Sequence, residues 1–271
     1  MLGAMLGDII GSPYEINGGK KIKDFPLFIN NSCFTDDTVM TFAIFNGLIR
    51  AHIDASDDVI KENLVKSCQG WGQAYPNAGY GGTFIRWIYA SNPLPYGSFG
   101  NGSAMRVSSV GWLYEELERT RHVARLTAEI THNHPEGIKG AESVASAIFL
   151  ARNGKTKEEI KEYIKKEFSY NLDRTCDSIR PYYHFDVTCQ GSVPESIIAF
   201  LEGTDFEDVI RTAVSLGGDT DTIGAIAGSI AEAYYGIPDN LIAKAKEKMT
   251  PLMKEVLPLF NDIKKPRIER V

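Results

Sequence analysis

Cysteine is scarce in this chain of 271 residues. The four cysteines, Cys33, Cys68, Cys176 and Cys189, form no pair with Cys-x-x-Cys spacing, which argues against a zinc ribbon and a thioredoxin-like redox motif. Asp8 interrupts the only apolar run near the N-terminus, so we expect no secretory leader. We therefore expect a cytoplasmic protein whose four thiols are reduced and packed as small apolar groups.

Long apolar runs and an excess of basic residues are also missing. No stretch reaches the roughly 18 apolar residues that a membrane helix needs, so we expect no membrane partner. Lysine and arginine number 29 against 35 aspartates and glutamates, which gives a formal charge of −6. Because nucleic-acid phosphates are usually met by a basic surface, we do not expect a nucleic-acid partner.

Strand-like runs are few, and helical periodicity dominates. Only residues 182–187 have the pattern of a strand. We predict an all-α protein with one compact domain over residues 1–271, of which residues 264–271 fray, and we expect a monomer because no long exposed heptad or strand edge is evident. Helices are predicted over 39–50, 57–74, 103–118, 122–131, 135–152, 157–168, 193–202, 206–216, 222–235, 240–248 and 252–263.

Glycines recur every four residues in two helical segments. Gly3, Gly7 and Gly11 share one helix face, and Gly224 and Gly228 share another. A glycine inside a helix costs about 1 kcal/mol relative to alanine, a cost that close approach of a neighbouring backbone can offset. We predict that these two helices pass close to each other in the core.

A first acidic segment, Thr35-Asp36-Asp37-Thr38, stands directly before an apolar helical run. One carboxylate would be an ordinary helix cap, because a single side-chain oxygen satisfies one or two backbone donors. The second carboxylate exceeds what capping needs, and mutual repulsion disfavours the pair unless a cation neutralises it.

A second acidic segment also opens a helix, with Asp219, Asp221 and the hydroxyl of Thr222. The two segments together offer hard oxygen ligands without histidine or cysteine, which suits magnesium or manganese better than zinc. An EF-hand is excluded, because Ile223 and Ile230 would stand at loop positions five and twelve. We therefore predict one metal site built by both segments, although each alone is typical of a cap.

Three further features are weaker signals on their own. A glycine-rich loop at 98–103 runs into a predicted helix and could bind phosphate, but an ordinary turn is the plainer interpretation. His132, in Thr-His-Asn-His-Pro, could face a ligand, and zinc is disfavoured because no third ligand is near. Glu15 follows the first predicted helix and is either a general base or a loop acid.

Five segments in this order, GAMLGDIIGSPYE, FTDDT, GNGSAMR, THNHPEG and GGDTDTIGAIAG, resemble the ADP-ribosylglycohydrolase family. The resemblance runs from Gly3 to about Tyr235. It implies an all-α orthogonal multi-helix fold and a centre of two divalent cations, magnesium in most members and manganese in some. It also implies hydrolysis of the bond between C1″ of ADP-ribose and its acceptor, on a modified protein or a small molecule.

The same resemblance implies roles for individual residues. One cation would be held by Thr35, Asp36 and Asp37, and the other by Asp219 and Thr222, with Asp221 bridging. The diphosphate and its ribose would be held by Gly100, Asn101, Gly102 and Ser103, with Phe99 stacking and His132 in contact with the ligand. The catalytic proton of the attacking water would pass to Glu15 or Asp36.

Two alternatives stay open at this level. A non-catalytic ADP-ribose-binding module of the same fold is possible, but all four metal-binding aspartates are present, which disfavours it. The acceptor is open as well, because the segment 16–34 is shorter than in the serine-directed animal enzymes. Glu15 favours an O-linked acceptor such as serine or acetate, and an arginine linkage is the other possibility.

Overall fold

The computed structural model describes residues 1–15 and 21–268, and the regular secondary structure in these ranges consists of helices, with no strand. The predicted all-α class is therefore confirmed. The strand predicted over 182–187 is wrong: this segment is irregular, and only a single bridge pairs Gly100 with Thr188. No neighbouring strand is present there to pair with it, and Phe185 and Val187 are about half exposed.

Fifteen helices occupy the described ranges. In chain order they are α1 (Leu2–Glu15), α2 (Asp36–Ala51), α3 (Asp57–Ala74), α4 (Gly82–Ile88), α5 (Gly102–Met105), α6 (Val110–Leu113), α7 (Leu117–Glu129), α8 (Pro135–Arg152), α9 (Lys157–Phe168), α10 (Cys176–Ile179), α11 (Cys189–Glu202), α12 (Phe206–Val214), α13 (Thr220–Tyr235), α14 (Asp239–Lys248) and α15 (Pro251–Ile263).

Helices α1 and α13 form the centre of the core and run antiparallel. Gly3 lies against Gly228, and Gly7 lies against Gly224. A β-carbon at Gly7 would stand 1.9 Å from the carbonyl oxygen of Gly224, so only glycine permits this approach. The predicted close packing of the two glycine-bearing helices is confirmed, and we call this contact the glycine seam, made by Gly3, Gly7, Gly11, Gly224 and Gly228.

The predicted helix over 103–118 is wrong, because the chain there forms two four-residue helices, α5 and α6. α5 ends at Met105, and the buried guanidinium of the next residue, Arg106, donates to the Thr127 carbonyl on α7 at 2.8 Å. A tertiary contact of this kind leaves no periodic pattern in the sequence from which the break could be predicted. The short helices α4 and α10 were not predicted, and α7 begins at Leu117 rather than at residue 122.

Helix starts follow the expected chemistry in most places. Asp205 caps α12 by accepting from the Asp208 amide at 2.8 Å, and Pro135 stands in the first turn of α8. The helix predicted to begin at residue 193 begins earlier, at Cys189, where Thr188 caps it, so Pro194 lies inside α11.

The chain beyond α15 is held against the body over 264–268. Lys265 donates its amide to the Trp112 carbonyl at 2.8 Å, and Ile268 donates to the Arg152 carbonyl at 2.8 Å. This part of the tail is therefore not free, and residues 269–271 lie outside the described residues. Three cysteines are buried as expected, while Cys33 is exposed. No helix within the described ranges is both long and apolar enough to cross a bilayer.

Candidate active site

The N-terminus of α13 and the C-terminus of α1 bring three carboxylates together. Oxygen atoms of Glu15, Asp219 and Asp221 all lie within 4.8 Å of one another. Oxygens bound to one magnesium ion stand at most about 4.2 Å apart, so a small adjustment would let these three share a cation. Glu15 is the last residue of α1, whereas the sequence placed it just beyond that helix.

The first acidic segment joins this group at the start of α2. The Thr222 hydroxyl on α13 donates to Asp37 Oδ2 on α2 at 3.3 Å. The two segments are 185 residues apart in the chain. Their convergence is what the prediction of a shared metal site required. We call Glu15, Asp36, Asp37, Asp219 and Asp221 the acidic cluster.

Asp8 orders the start of α2 from within α1. Its carboxylate accepts from the amide and hydroxyl of Thr35, both at 2.9 Å, and from the amide of Thr38 at 3.1 Å. The Thr38 hydroxyl donates to it as well. Asp8 is thus satisfied within the protein, and it fixes the loop that carries Asp36 and Asp37.

The acidic cluster is electrostatically incomplete. Burial and repulsion from Asp221 raise the pKa of Asp36 to about 8 and that of Glu15 to about 7. The same causes raise the pKa values of Asp37 and Asp219 well above the ordinary range. Asp37 Oδ1 is buried without a hydrogen-bond partner among the described residues. An orphaned carboxylate oxygen among like charges is the environment that a hard divalent cation would complete, so the residues fit the implied metal.

A cavity of about 710 Å³ opens over the acidic cluster. Its walls include the loop after α4, with Phe99, Gly100, Asn101 and Gly102 from the predicted phosphate-binding loop. Ser103 does not line it, because this hydroxyl is buried and donates to the Gly137 carbonyl at 2.7 Å. The structure therefore brings four of these five predicted contacts to the cavity.

Asn101 holds the acidic cluster in place as well as lining the cavity. Its amide nitrogen donates to Asp219 Oδ2 at 2.7 Å and to the Ser192 hydroxyl at 3.0 Å. One oxygen of Asp219 is therefore held in place by Asn101. The family resemblance implied a ligand contact for Asn101, whereas its positioning contact with Asp219 was not predicted.

His132 is buried and lines the same cavity. Other wall residues were missed by sequence reasoning, namely Met40, Thr83, Phe84, Tyr96, Met105, Arg106, Phe185 and Val187. Arg106 is the last residue of the GNGSAMR segment, so the sequence did contain a signal that could have identified it. Phe185 and Val187 lie in the long irregular segment between α10 and α11. Long segments of this kind often carry functional residues, but residues 182–187 were predicted to form a strand.

Comparison with known proteins identifies the family of this chain. The chain matches the ADP-ribosylglycohydrolase family over residues 1–266. The chain belongs to this family. A solved structure described as an ADP-ribosylglycohydrolase-related protein complex superposes with a TM-score of 0.72 at 24% identity, covering 96% of this chain and 93% of that one. This likeness confirms the fold of the family.

Curated members of the family are similar along most of their length. The ADP-ribosylhydrolase ARH3 of Homo sapiens is 27% identical, with 88% of this chain and 84% of the relative covered. The ARH3 of Bos taurus is 26% identical over the same shares. The ADP-ribosylarginine hydrolase Tri1 of Pseudomonas putida is 23% identical, with 88% of this chain and 70% of the relative covered. The family is one of hydrolases that act on glycosyl bonds.

Proposed function

We propose that this chain hydrolyses the glycosidic bond between C1″ of ADP-ribose and an acceptor, and releases free ADP-ribose. The observation that carries the proposal is the contact of the Thr222 hydroxyl with Asp37, which joins the two acidic segments beneath one cavity. Family membership and the printed activities of the ARH3 and Tri1 relatives support the same bond type.

The acidic cluster would hold two divalent cations. Magnesium is the preferred metal, and manganese is the alternative. Thr35, Asp36 and Asp37 would hold one cation. Asp219 and Thr222 would hold the other, and Asp221 would be a ligand shared by both. Bound cations would neutralise the clustered carboxylates, orient the terminal ribose through its hydroxyls and make a water molecule more acidic. Asp8 holds Thr35, and Asn101 holds Asp219, so both ligand sets are preorganised.

Proton transfer falls to Glu15 or Asp36. Cleavage of a glycosidic bond needs a group that takes a proton from the attacking water and one that protonates the leaving acceptor. Glu15 is half-buried at the cavity wall, where burial and repulsion from Asp221 raise its pKa to about 7 in the metal-free protein. Asp36 also lines the cavity, with a pKa raised to about 8.

The ADP-ribose moiety would occupy the wall that runs from Phe99 to Gly102. Phe99 is exposed at the cavity mouth and is the candidate for stacking. Gly100 and Gly102 leave room for a phosphate beside His132, while Ser103 would take part through its backbone only. A volume of about 710 Å³ is of the size that small-molecule sites have.

The acceptor side of the cavity contains Glu15, which favours an O-linked acceptor such as serine or acetate. A carboxyl group there can protonate a leaving alkoxide or carboxylate. An arginine linkage is the competing specificity, because the Tri1 relative is an ADP-ribosylarginine hydrolase.

One assay tests the proposal directly. The purified chain is incubated with serine-, acetyl- and arginine-linked ADP-ribose, with magnesium, with manganese and with a chelator, and free ADP-ribose is measured. We expect release from at least one O-linked substrate, dependent on a divalent cation. If calorimetry shows metal and ADP-ribose binding but no substrate is cleaved, the chain is the non-catalytic binding module instead.

A further inference from the structure

Three residues beside the glycine-rich loop form a buried chain of hydrogen bonds. Arg106 donates from Nη2 to the Thr131 hydroxyl at 2.8 Å and to the Thr127 carbonyl at 2.8 Å. The Thr131 hydroxyl oxygen lies 2.7 Å from His132 Nδ1. Arg106 and Thr131 are almost completely buried, and His132 is 6% exposed.

The donor and acceptor roles in this chain follow from proton counting. A guanidinium can only donate, so the Thr131 oxygen accepts from Arg106. The single Thr131 proton then needs an acceptor. Within the described part of the chain, its only other hydrogen-bond neighbour is His132 Nδ1. The hydroxyl therefore donates to a bare Nδ1, which leaves the ring proton of His132 on Nε2.

The charge state of His132 follows from its surroundings. Burial and the nearby Arg106 guanidinium lower its pKa well below the ordinary value. No salt bridge joins Arg106 to a carboxylate in residues 1–15 and 21–268, so its positive charge is not compensated there. A second positive charge on His132 would be repelled, and the ring is neutral at pH 7.

The Nε2 atom faces the cavity wall where the phosphate would lie. A β-carbon at Gly102 would stand 3.0 Å from it, and one at Gly100 would stand 3.6 Å away. No described residue accepts a hydrogen bond from Nε2, and His132 lines the cavity. An oxygen atom of a ligand is the acceptor that this N–H lacks, and the uncompensated charge of Arg106 favours an anionic one.

We infer that Arg106 and Thr131 are positioning residues that hold His132 neutral with its proton on Nε2, as a fixed hydrogen-bond donor to a phosphate oxygen of the ligand. The ligand part of this inference rests on the proposed function, whereas the tautomer does not. His132 in this state is a binding group and not a general acid or base.

The tautomer is measured first, on the wild-type protein without ligand. A long-range ¹H–¹⁵N correlation spectrum at pH 7 distinguishes the Nε2–H, the Nδ1–H and the doubly protonated imidazole by their cross-peak patterns. The His132→Asn spectrum identifies the signal among the five histidines. We expect the Nε2–H pattern; an Nδ1–H or doubly protonated His132 would overturn the inference, whatever the enzyme activity is.

The matched pair Thr131→Val and Thr131→Ser then tests the hydroxyl. Valine keeps the shape and removes the donor, and serine keeps the donor. By calorimetry we expect the valine variant to bind ADP-ribose and ADP about tenfold more weakly, and the serine variant to stay within about twofold of wild type. Adenosine, which has no phosphate, should bind all three proteins equally.

Kinetics and spectra of the same variants separate positioning from simple loss of structure. With the substrate that the release assay identifies, Thr131→Val should raise KM and leave kcat within about twofold of wild type. Its spectrum should lose the pure Nε2–H pattern, and Thr131→Ser should restore it. Equal binding of ADP by the wild-type and valine proteins, or weaker adenosine binding in the valine variant, would refute the role assigned to Thr131. If wild type binds no ADP-ribose at all, the proposed function fails, while the spectrum still decides the tautomer.

Discussion

The glycine seam and the acidic cluster are adjacent parts of the same two helices, yet they differ in how complete they are. In the seam, the backbones of α1 and α13 pack directly against each other, because the glycines place no side chain between them. In the cluster, the ends of the same helices place like charges together and leave Asp37 Oδ1 without a partner. The close packing of α1 and α13 along the seam therefore brings together the helix ends that carry the repelling carboxylates of Glu15, Asp219 and Asp221.

The largest expected effect is a loss of folding stability when a side chain is added in the glycine seam. Gly7→Ala places a methyl group 1.9 Å from the Gly224 carbonyl oxygen, so the helices must separate. We expect a loss of about 4 kcal/mol or more in the free energy of unfolding, measured by urea denaturation. Gly70→Ala is the matched control, because Gly70 is exposed inside α3 with no atom near its would-be β-carbon. The control should gain up to about 1 kcal/mol, and equal effects of both changes would disprove the seam.

The second prediction concerns a substitution in the acidic cluster, which should lower activity without lowering the stability of the metal-free protein. Asp37→Asn removes one charge from the acidic cluster but keeps the shape of the side chain. Hydrolysis should fall at least about a hundredfold at saturating magnesium, because metal centres contribute several kcal/mol to the transition state. The metal-free variant should unfold at a temperature equal to or above that of the wild type. Normal turnover would remove Asp37 from the metal ligands.

Metal affinity gives a third, smaller effect. Asp219→Ala deletes a proposed ligand and frees Asn101, so magnesium binding by calorimetry should weaken by about tenfold or more. Asp177→Ala is the control, because this carboxylate is 89% exposed and pairs only with Arg180 among the described contacts. A metal affinity that is the same in both variants would contradict the assignment.

The last prediction concerns how the stability of the metal-free protein depends on pH. Glu15 and Asp8 have pKa values raised to about 7, and Asp36 to about 8. Unfolded carboxyls titrate near pH 4, so between pH 4 and 8 the folded state binds more protons and stability falls as the pH rises. Chemical denaturation should show this decline with a chelator present. Saturating magnesium should flatten it, and a metal-free stability that rises over this range would contradict the raised pKa values.

Local sequence predicted the elements that depend on local chemistry. The bounds of α3, α8 and α9 were predicted to the residue, because each has clear periodicity and start signals. The break between α5 and α6 was not predictable, because buried Arg106 fixes it through a contact with α7. Ser103 was assigned to the ligand by its motif, but its hydroxyl is bound to Gly137 from α8.

The sequence by itself determined the all-α class, the two acidic segments and the glycine spacing, since periodicity, capping and residue type are local properties of a chain. Only the tertiary structure decided that Thr222 meets Asp37, that Asn101 fixes Asp219, and that Arg106 stands behind His132. These contacts join residues that are far apart in the chain. Their distances depend on how whole helices pack, and no local pattern encodes that.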